Sequence, residues 1–411
     1  MWASWDADSM AGVGVTLLQL AGVCPLAAVS SEGAYRVGWV PTTWCALFLV
    51  VRGALLVWYY QAKQALGRDL EAGASISARI GEFVFVEASQ LCSYCISVML
   101  LLATSRLARL LLEMDVLRKM LAAVSSSACW SPGPLTLVYA CATVGFFVWT
   151  VIRYTCYTIS RWATNASWLP ELLHLLELVL GWPSHSGVMF LLTSVLAHLC
   201  TATRAVLPPQ WEQLLAQVRE GTTHSPVLRE STFVLPGSLP TAATAPAAAL
   251  ALASFLRHAR ALLQQTEEMV ARLMEYLGVA LLVIVTTNVL SFTFSAYFSF
   301  LKWNAGFTDY YHFSQMAALL LTLLQINMAA EDLLQERRRC ARLYRRLLLH
   351  HQVEALSMAG EVAAALDRPL QMRVTQLFNL GGTCVTTMCS LVLSYLVIAL
   401  QFSSTQDVNI Y

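Results

Sequence analysis

Seven apolar stretches of about twenty residues each, separated by polar intervals of unequal length, set the pattern of this 411-residue chain. They lie at 40–60, 82–103, 135–159, 188–206, 277–301, 311–329 and 383–402. A helix rises about 1.5 Å per residue, so roughly twenty such residues cross a hydrocarbon core of about 30 Å. Each stretch is therefore expected to be a membrane-spanning helix, which satisfies its own backbone hydrogen bonds where no water can do so. An eighth apolar stretch, 11–29, has the length, but Gly12, Gly14, Gly22 and Pro25 interrupt it. It is expected to lie at the interface or fold inward as a helix rather than cross.

The polar intervals carry a pattern of their own. Within 105–124, residues Leu107, Leu110, Leu111, Met114, Leu117 and Leu121 recur every three or four positions and so share one helical face. Leu252, Leu256, Leu263, Val270 and Leu273 repeat this over 250–276, and 333–349 does so opposite a basic face running from Arg337 to Arg346. Spans four, five and six are thus expected to continue past the bilayer as packed helices. The arginine run reads as a solvated collar beside lipid headgroups. The segment 220–249 differs: rich in Thr, Ser, Pro and Ala, it has no helical period and too little apolar surface to offset the entropy of ordering. It is expected to be a disordered cytoplasmic loop in an otherwise single seven-helix unit, 1–411.

Basic residues fix the expected orientation, because Lys and Arg near spans are retained in the cytoplasm. Of the 26 present, nineteen fall on the side of the N-terminus, among them Arg106, Arg109, Arg118, Lys119 and eight between Arg337 and Arg373. Five fall on the other side, Lys63, Arg68, Arg79, Arg161 and Lys302, and two, Arg52 and Arg153, lie within spans. The expected fold class is an all-α, multi-pass protein of the plasma membrane with seven transmembrane helices, N-terminus cytoplasmic and C-terminus extracellular. The sequon Asn165-Ala166-Ser167 lies between spans three and four, on the outer side, and makes Asn165 a candidate glycosylation site.

Composition agrees and narrows the function. Hydrophobic residues make up 57% and charged residues 12%, against about 25% charged in soluble domains. A net charge of +1 provides no field to attract nucleic acid. The eleven cysteines lie largely in or beside apolar runs and are expected as buried free thiols. Cys92-x-x-Cys95 has no second pair beside it, so no metal is expected. The first basic residue is Arg36, so 11–29 lacks the charged start of a signal peptide and is expected to be retained. No internal repeat points to a transporter built from duplicated halves. There is no phosphate-binding Gly-rich loop, no His-Glu-x-x-His and no Gly-x-Ser-x-Gly. Neither catalytic residues nor cofactors are expected.

The candidate chemistry lies in polar residues within or beside the spans, where charge is costly and usually faces the protein interior or a water-filled cavity. On the charge-derived topology Glu82, Glu87, Gln90, Arg153, Tyr154, Tyr157, His174, Glu177, Tyr297, Tyr310, Tyr311, His312 and Gln315 belong to the outer half or its rim. Aromatic walls from Phe85, Trp149, Trp168, Trp182, Phe294 and Phe298 would complete an outward-open pocket for a small organic molecule. Any one aromatic can instead be an interfacial anchor or core residue, and Arg153 with Glu87 can be a structural pair. In the last span Ser394, Ile398 and Gln401 follow at intervals of four and three and share a face. Such a slim polar-apolar-polar stripe suits a pore, where a hydrophobic ring blocks ions by dewetting. The alternative is a packed helix with Gln401 bonded to a neighbour.

The most specific stretch is Ser394-Tyr395, five apolar residues, then Gln401-Phe402. It resembles the terminal signature of insect gustatory receptors, Thr-Tyr, five hydrophobic residues, Gln-Phe, with Ser394 standing for the Thr. The lead-in Leu377-Phe378-Asn379-Leu380-Gly381-Gly382 is similar to the Phe and Gly run of that family. The resemblance implies a homo- or hetero-tetramer around one central pore made by the outer part of helix seven. A small-molecule tastant in each subunit would open a poorly selective path for monovalent and divalent cations, lined by Ser394, Ile398 and Gln401. Sugar-sensing members commonly carry an acidic residue after Thr-Tyr; here Leu396 stands there, which favours a bitter-type ligand. The alternatives are an odorant-receptor-type channel subunit and a G-protein-coupled receptor. The latter needs the opposite orientation and motifs that are missing, Asp-Arg-Tyr after span three and Asn-Pro-x-x-Tyr in span seven.

Overall fold

Over their described residues the seven apolar stretches fall on helices in a computed structural model, which describes residues 10–29, 34–70, 89–124, 134–163, 168–207, 245–304, 310–350 and 356–407 and so leaves 82–88 of the second stretch outside. The helices are α1 (Met10–Leu20), α2 (Trp39–Leu70), α3 (Ser89–Leu102), α4 (Thr104–Val124), α5 (Pro134–Ala163), α6 (Leu169–Ala205), α7 (Ala245–Asn304), α8 (Tyr310–His350), α9 (Leu356–Asp367) and α10 (Gly382–Asp407). Two antiparallel hairpins accompany them, β1 (Leu26–Val29) with β2 (Ala34–Val37), and β3 (Arg373–Val374) with β4 (Phe378–Asn379). Among the described residues, four helices are by themselves long and apolar enough to cross a bilayer: α2, α6, α7 and α8. The pair α3 and α4, bent by 67°, makes a fifth.

Helix length separates membrane from base. The 60 residues of α7 make a rod of about 90 Å, roughly three times a hydrocarbon core, so most of it stands outside the bilayer. The 41-residue α8 and 37-residue α6 overrun in the same way. Their extensions pack with α4 and α9, burying Leu107, Leu110, Leu117 and Leu121 of α4 and Leu256, Leu263, Val270 and Leu273 of α7. These are the apolar faces read from the sequence. At the foot of α6, where the last carbonyls of a helix lack intrahelical donors, α8 supplies them. Tyr344 donates its hydroxyl to Val206 O at 2.9 Å, and the Cys340 thiol points to Thr203 O at 3.5 Å.

At the centre stands α6, packed by α1, α2, α3, α5, α7 and α8. Val188, Leu191, Leu192, Val195 and Leu196 are fully buried, as a helix apolar on all sides must be in a protein core.

Three expectations are corrected. The helix that carries the fourth apolar stretch begins at Leu169 rather than near 188. Pro170 suits its first turn, where its missing N–H is no loss, and Pro183 does not end it. Pro183 withholds only the N–H that would bond Val179 O, and beside it the Ser184 hydroxyl donates back to Gly181 O at 2.7 Å. The stretch 11–29 folds inward but is helical only to Leu20; Gly22, at φ +65°, turns the chain into β1. A Cβ at Gly22 would stand 2.6 Å from Phe48 Cβ, so both the turn and the close approach require glycine. Val15 and Leu18 are fully buried, and α1 packs chiefly on α6. The loop drawn at 220–249 lies outside the described residues up to 244, but 245–249 already form the start of α7, where Pro246 sits in the first turn and alanines favour helix.

The ten described cysteines are all free. Cys24, Cys45, Cys200, Cys340 and Cys384 are buried, whereas Cys95, Cys141, Cys156 and Cys389 lie on helix surfaces. Burial pushes the Cys24 thiol, in the turn after α1, up to about 12.

Candidate pore helix and ligand site

The last helix is held at its foot and bare along its length. Before it, β3 and β4 close a tight turn in which Thr375 and Gln376 take left-handed backbone conformations, φ 47° and 65°. Leu380 N–H then donates to Met372 O at 3.0 Å. Gly381, at φ +130°, turns the chain into α10. Two side chains of α8 cap the entry: Asn327 Oδ1 accepts from Gly381 N at 3.1 Å and Glu331 Oε2 from Gly382 N at 3.1 Å. Thus Gly381 and Gly382, read from the sequence as a lead-in motif, form the joint that fastens α10 to α8.

Beyond the joint, Cys384, Met388 and Val392 form a narrow buried seam against α7 and α8. The remaining surface is uncovered by the chain's own helices: Leu391, Leu393, Tyr395, Val397 and Ile398 are all exposed, Ile398 to 45%. Ser394 and Gln401 are exposed as well, so the three stripe residues share an open face. Hydroxyls along α10 turn inward on the helix itself. Thr387 donates to Thr383 O (3.0 Å), Ser390 to Thr386 O (3.0 Å) and Ser394 to Ser390 O (2.9 Å). Tyr395 points to the exposed side, and the Phe402 side chain lies outside the described residues.

A buried polar cluster joins α2, α3 and α6 in the part of the bundle that the charge count had placed outward. Arg52 of α2 is fully buried and forms a bidentate pair with Glu177 of α6, its Nε lying 3.1 and 3.2 Å from the two carboxylate oxygens. Its Nη1 donates to Ser97 Oγ at 2.6 Å and its Nη2 to Ser93 Oγ at 3.2 Å, while Tyr94 presents its ring 5.9 Å away. Gly181 leaves room for the guanidinium: a Cβ there would meet Ser93 Oγ at 2.8 Å and Arg52 Nη2 at 2.9 Å. One turn outward the Gln90 amide nitrogen donates to His174 Nδ1, leaving Gln90 Oε1 buried without a hydrogen-bond partner. The sequence showed Arg52 as a charge inside a span but left it without a role; the cost of burying an arginine in a membrane was the signal that it needed a partner.

The other pocket candidates are dispersed. Tyr297 is buried beside Phe298, with ring centroids 5.5 Å apart, and Phe294 is half-buried. Trp182 of α6 stacks on Phe147 of α5 at 4.1 Å. Trp149, Arg153 and Trp168 are exposed on helix surfaces. Glu82, Phe85, Glu87 and Asn165 lie outside the described residues, as do the side chains of Tyr154, Tyr157, Tyr310, Tyr311 and Gln315. Neither described cavity is lined by any of these candidates. Among the described residues no group of three or more metal-ligating side chains assembles.

Comparisons with known proteins follow the whole chain. The family model of the 7tm chemosensory receptors matches residues 13–406. The insect olfactory receptor OR5 from Machilis hrabei in complex with eugenol has a similar fold, with a TM-score of 0.60 at 10% identity over 96% of this chain and 97% of that one. The structure of OR5 without that description of a ligand gives 0.58 at 12% identity, over 95% and 97%. No curated protein sequence matches. The shared architecture is an all-α membrane fold with several long apolar helices, in a family of chemosensory receptor channels that are not enzymes. This chain belongs to the 7tm chemosensory receptor family.

Proposed function

We propose that the chain is a gustatory receptor subunit, four of which surround a cation pore opened by a small organic tastant of the bitter rather than the sugar type. The observation that carries this reading is α10: a helix bearing Ser394-Tyr395 and Gln401-Phe402, tethered at its foot and presenting Ser394, Ile398 and Gln401 on a face its own chain leaves open. In a fourfold ring Ile398 is the dewetting constriction and the flanking polar groups keep ions partly hydrated. The N-terminus is cytoplasmic, so the long base built by α4, α6, α7, α8 and α9 lies inside the cell and α10 ends outside. The ligand binds between helices in the outer half, near the Arg52–Glu177 and Gln90–His174 cluster, whose unpartnered Gln90 Oε1 is available to a ligand donor. The partners are then the tastant, mono- and divalent cations, related subunits and the plasma-membrane lipid.

Substitution in the stripe tests the pore. Ile398→Ser places four hydroxyls at the constriction, and basal current should rise. Gln401→Lys sets like charges around one axis and should lower current without moving the ligand concentration for half-response. Altered ligand sensitivity with unchanged conduction in both variants would place the pore elsewhere. A tag after Tyr411 should be labelled on intact cells, and one before Met1 only after permeabilisation. The likeness to OR5 supports a second reading, an odorant-type ligand; parallel panels of tastants and volatiles on cells expressing the chain separate the two.

A further inference from the structure

Where the basic face of α8 meets the connection from α9 to β3 and the foot of α10, there is an open cavity of about 880 Å³. Five guanidinium groups line it, Arg337, Arg338, Arg342, Arg345 and Arg368, against two carboxylates, Glu331 and Asp367. The acids are engaged: Arg338 lies 3.4 Å from Glu331, and Arg345 pairs with Asp367. Arg342 bonds through Nε to Arg338 O at 3.4 Å and, like Arg368, has no ion-pair partner among the described residues.

The decisive group is Arg337, which is 3% exposed. Its Nη2 donates to Glu267 Oε1 (2.7 Å), Ala365 O (2.8 Å) and Arg368 O (3.5 Å). Its Nε and Nη1 are buried with no hydrogen-bond partner. Arginine carries five donors and no acceptor, and an idle buried donor on a charged group costs free energy unless something fills the site. The N-terminus of the 26-residue α10 opens on the same space at Gly381, Gly382 and Thr383, adding the positive end of its dipole. Among the described residues the walls include no aromatic ring on which a nucleobase could stack; the apolar lining is aliphatic, from Leu334, Leu366, Pro369, Leu370 and Leu380.

We propose that this cavity binds an inositol polyphosphate, free or as a lipid headgroup, and that the anion bridges the basic face of α8 to the foot of the pore helix. With Glu267 paired to Arg337, the five guanidiniums keep an excess of two positive charges, which with room well beyond a single phosphate call for several phosphoryl groups on a compact, non-aromatic scaffold. Because the site touches the joint made by Asn327, Glu331, Gly381 and Gly382, its occupancy stiffens the mount of α10 and biases gating. That the site faces the cytoplasm, where such anions occur, rests on the orientation proposed above; binding itself does not.

The test is calorimetric binding to purified full-length receptor. One arm titrates inositol hexakisphosphate; the other compares thermal stability in phosphatidylcholine nanodiscs with and without phosphatidylinositol 4,5-bisphosphate. Saturable binding in the first arm identifies a free ligand, and stabilisation in the second a lipid headgroup. Arg342→Gln and Arg368→Gln, at exposed positions, should each weaken binding roughly tenfold, the value of a charge-assisted bond. Asp367→Asn removes a carboxylate and releases Arg345, so it should tighten binding, a gain that misfolding cannot mimic. Arg260→Gln, which removes an exposed guanidinium outside the cavity, should change nothing. Absence of binding in both arms, or equal losses from Arg260→Gln and Arg342→Gln, overturns the proposal. Reversed tag labelling with binding retained would instead overturn the orientation and leave the site standing.

Discussion

Two helices of similar apolar character, α6 and α10, meet opposite fates. In its candidate span α6 is 83% buried by its own chain, whereas α10 buries only the seam of Cys384, Met388 and Val392. Hydrophobicity cannot separate them, because lipid covers an apolar surface as well as protein does. Their polar residues do. In α6 the hydroxyls of Thr193, Thr201 and Thr203 bond back within the helix, but Glu177 and His174 reach across to α2 and α3 for partners. In α10 the hydroxyls of Thr387, Ser390 and Ser394 bond one turn back within the same helix and ask nothing of a neighbour. A helix whose polar groups are committed between elements is a fixed beam. One whose polar groups are satisfied internally can change its surroundings, from lipid to subunit to water, at little cost in broken hydrogen bonds.

The largest effect expected from this contrast is at Arg52. Arg52→Met leaves Glu177 buried without its cation, which costs about 3–5 kcal/mol, so surface expression should be lost. The double variant Arg52→Met with Glu177→Leu removes both charges and should recover much of it; failure to recover would mean that Ser93 and Ser97, not the charge pair, hold these helices together. Gly181→Ala should be milder, about 1–3 kcal/mol for overpacking against Ser93 and Arg52, read as a lower melting temperature in detergent. On α10, Leu393→Ala trims a side chain that is 61% exposed. It should change the stability of the isolated chain by no more than about 0.5 kcal/mol while weakening assembly, seen as a smaller species in native electrophoresis. If the isolated chain is destabilised as much as by Gly181→Ala, α10 is packed and the contrast fails.

The smallest effect is chemical. The Cys24 thiol is pushed up to about 12 by burial, so at pH 8 it stays protonated and should resist maleimide in the native protein, while exposed Cys389 reacts. The raised pKa favours the protonated form in the fold. Its contribution to stability is complete below the unfolded thiol's value near 9 and disappears as pH rises towards 12. Labelling of Cys24 at pH 8 at the rate of Cys389 would show that α1 opens from the core.

Much of the architecture was legible in the chain. The apolar stretches, the amphipathic face from Leu107 to Leu121 and the overrun of spans five and six all depend on local periodicity, and local periodicity survives folding. The start of α6 was not legible, because Pro183 and its polar neighbours lower the apparent hydrophobicity of a segment that the surrounding helices bury. The candidate site was legible in its residue types and less so in its pairings. Glu177 and Gln90 stood out as costly polar groups, but nothing in their spacing pointed to Arg52, 125 positions before Glu177.

By itself, then, the sequence determined where the long apolar helices run, how unevenly basic residues are spread along the chain and the terminal signature, because each is a property of short runs of residues. Only the tertiary structure decided that Arg52 meets Glu177, that Arg337 is buried with two idle donors while Arg338 and Arg339 are exposed, and that one face of α10 is open. Those depend on which helices pack side by side, and the energies that choose among packings come from contacts between residues far apart in the chain.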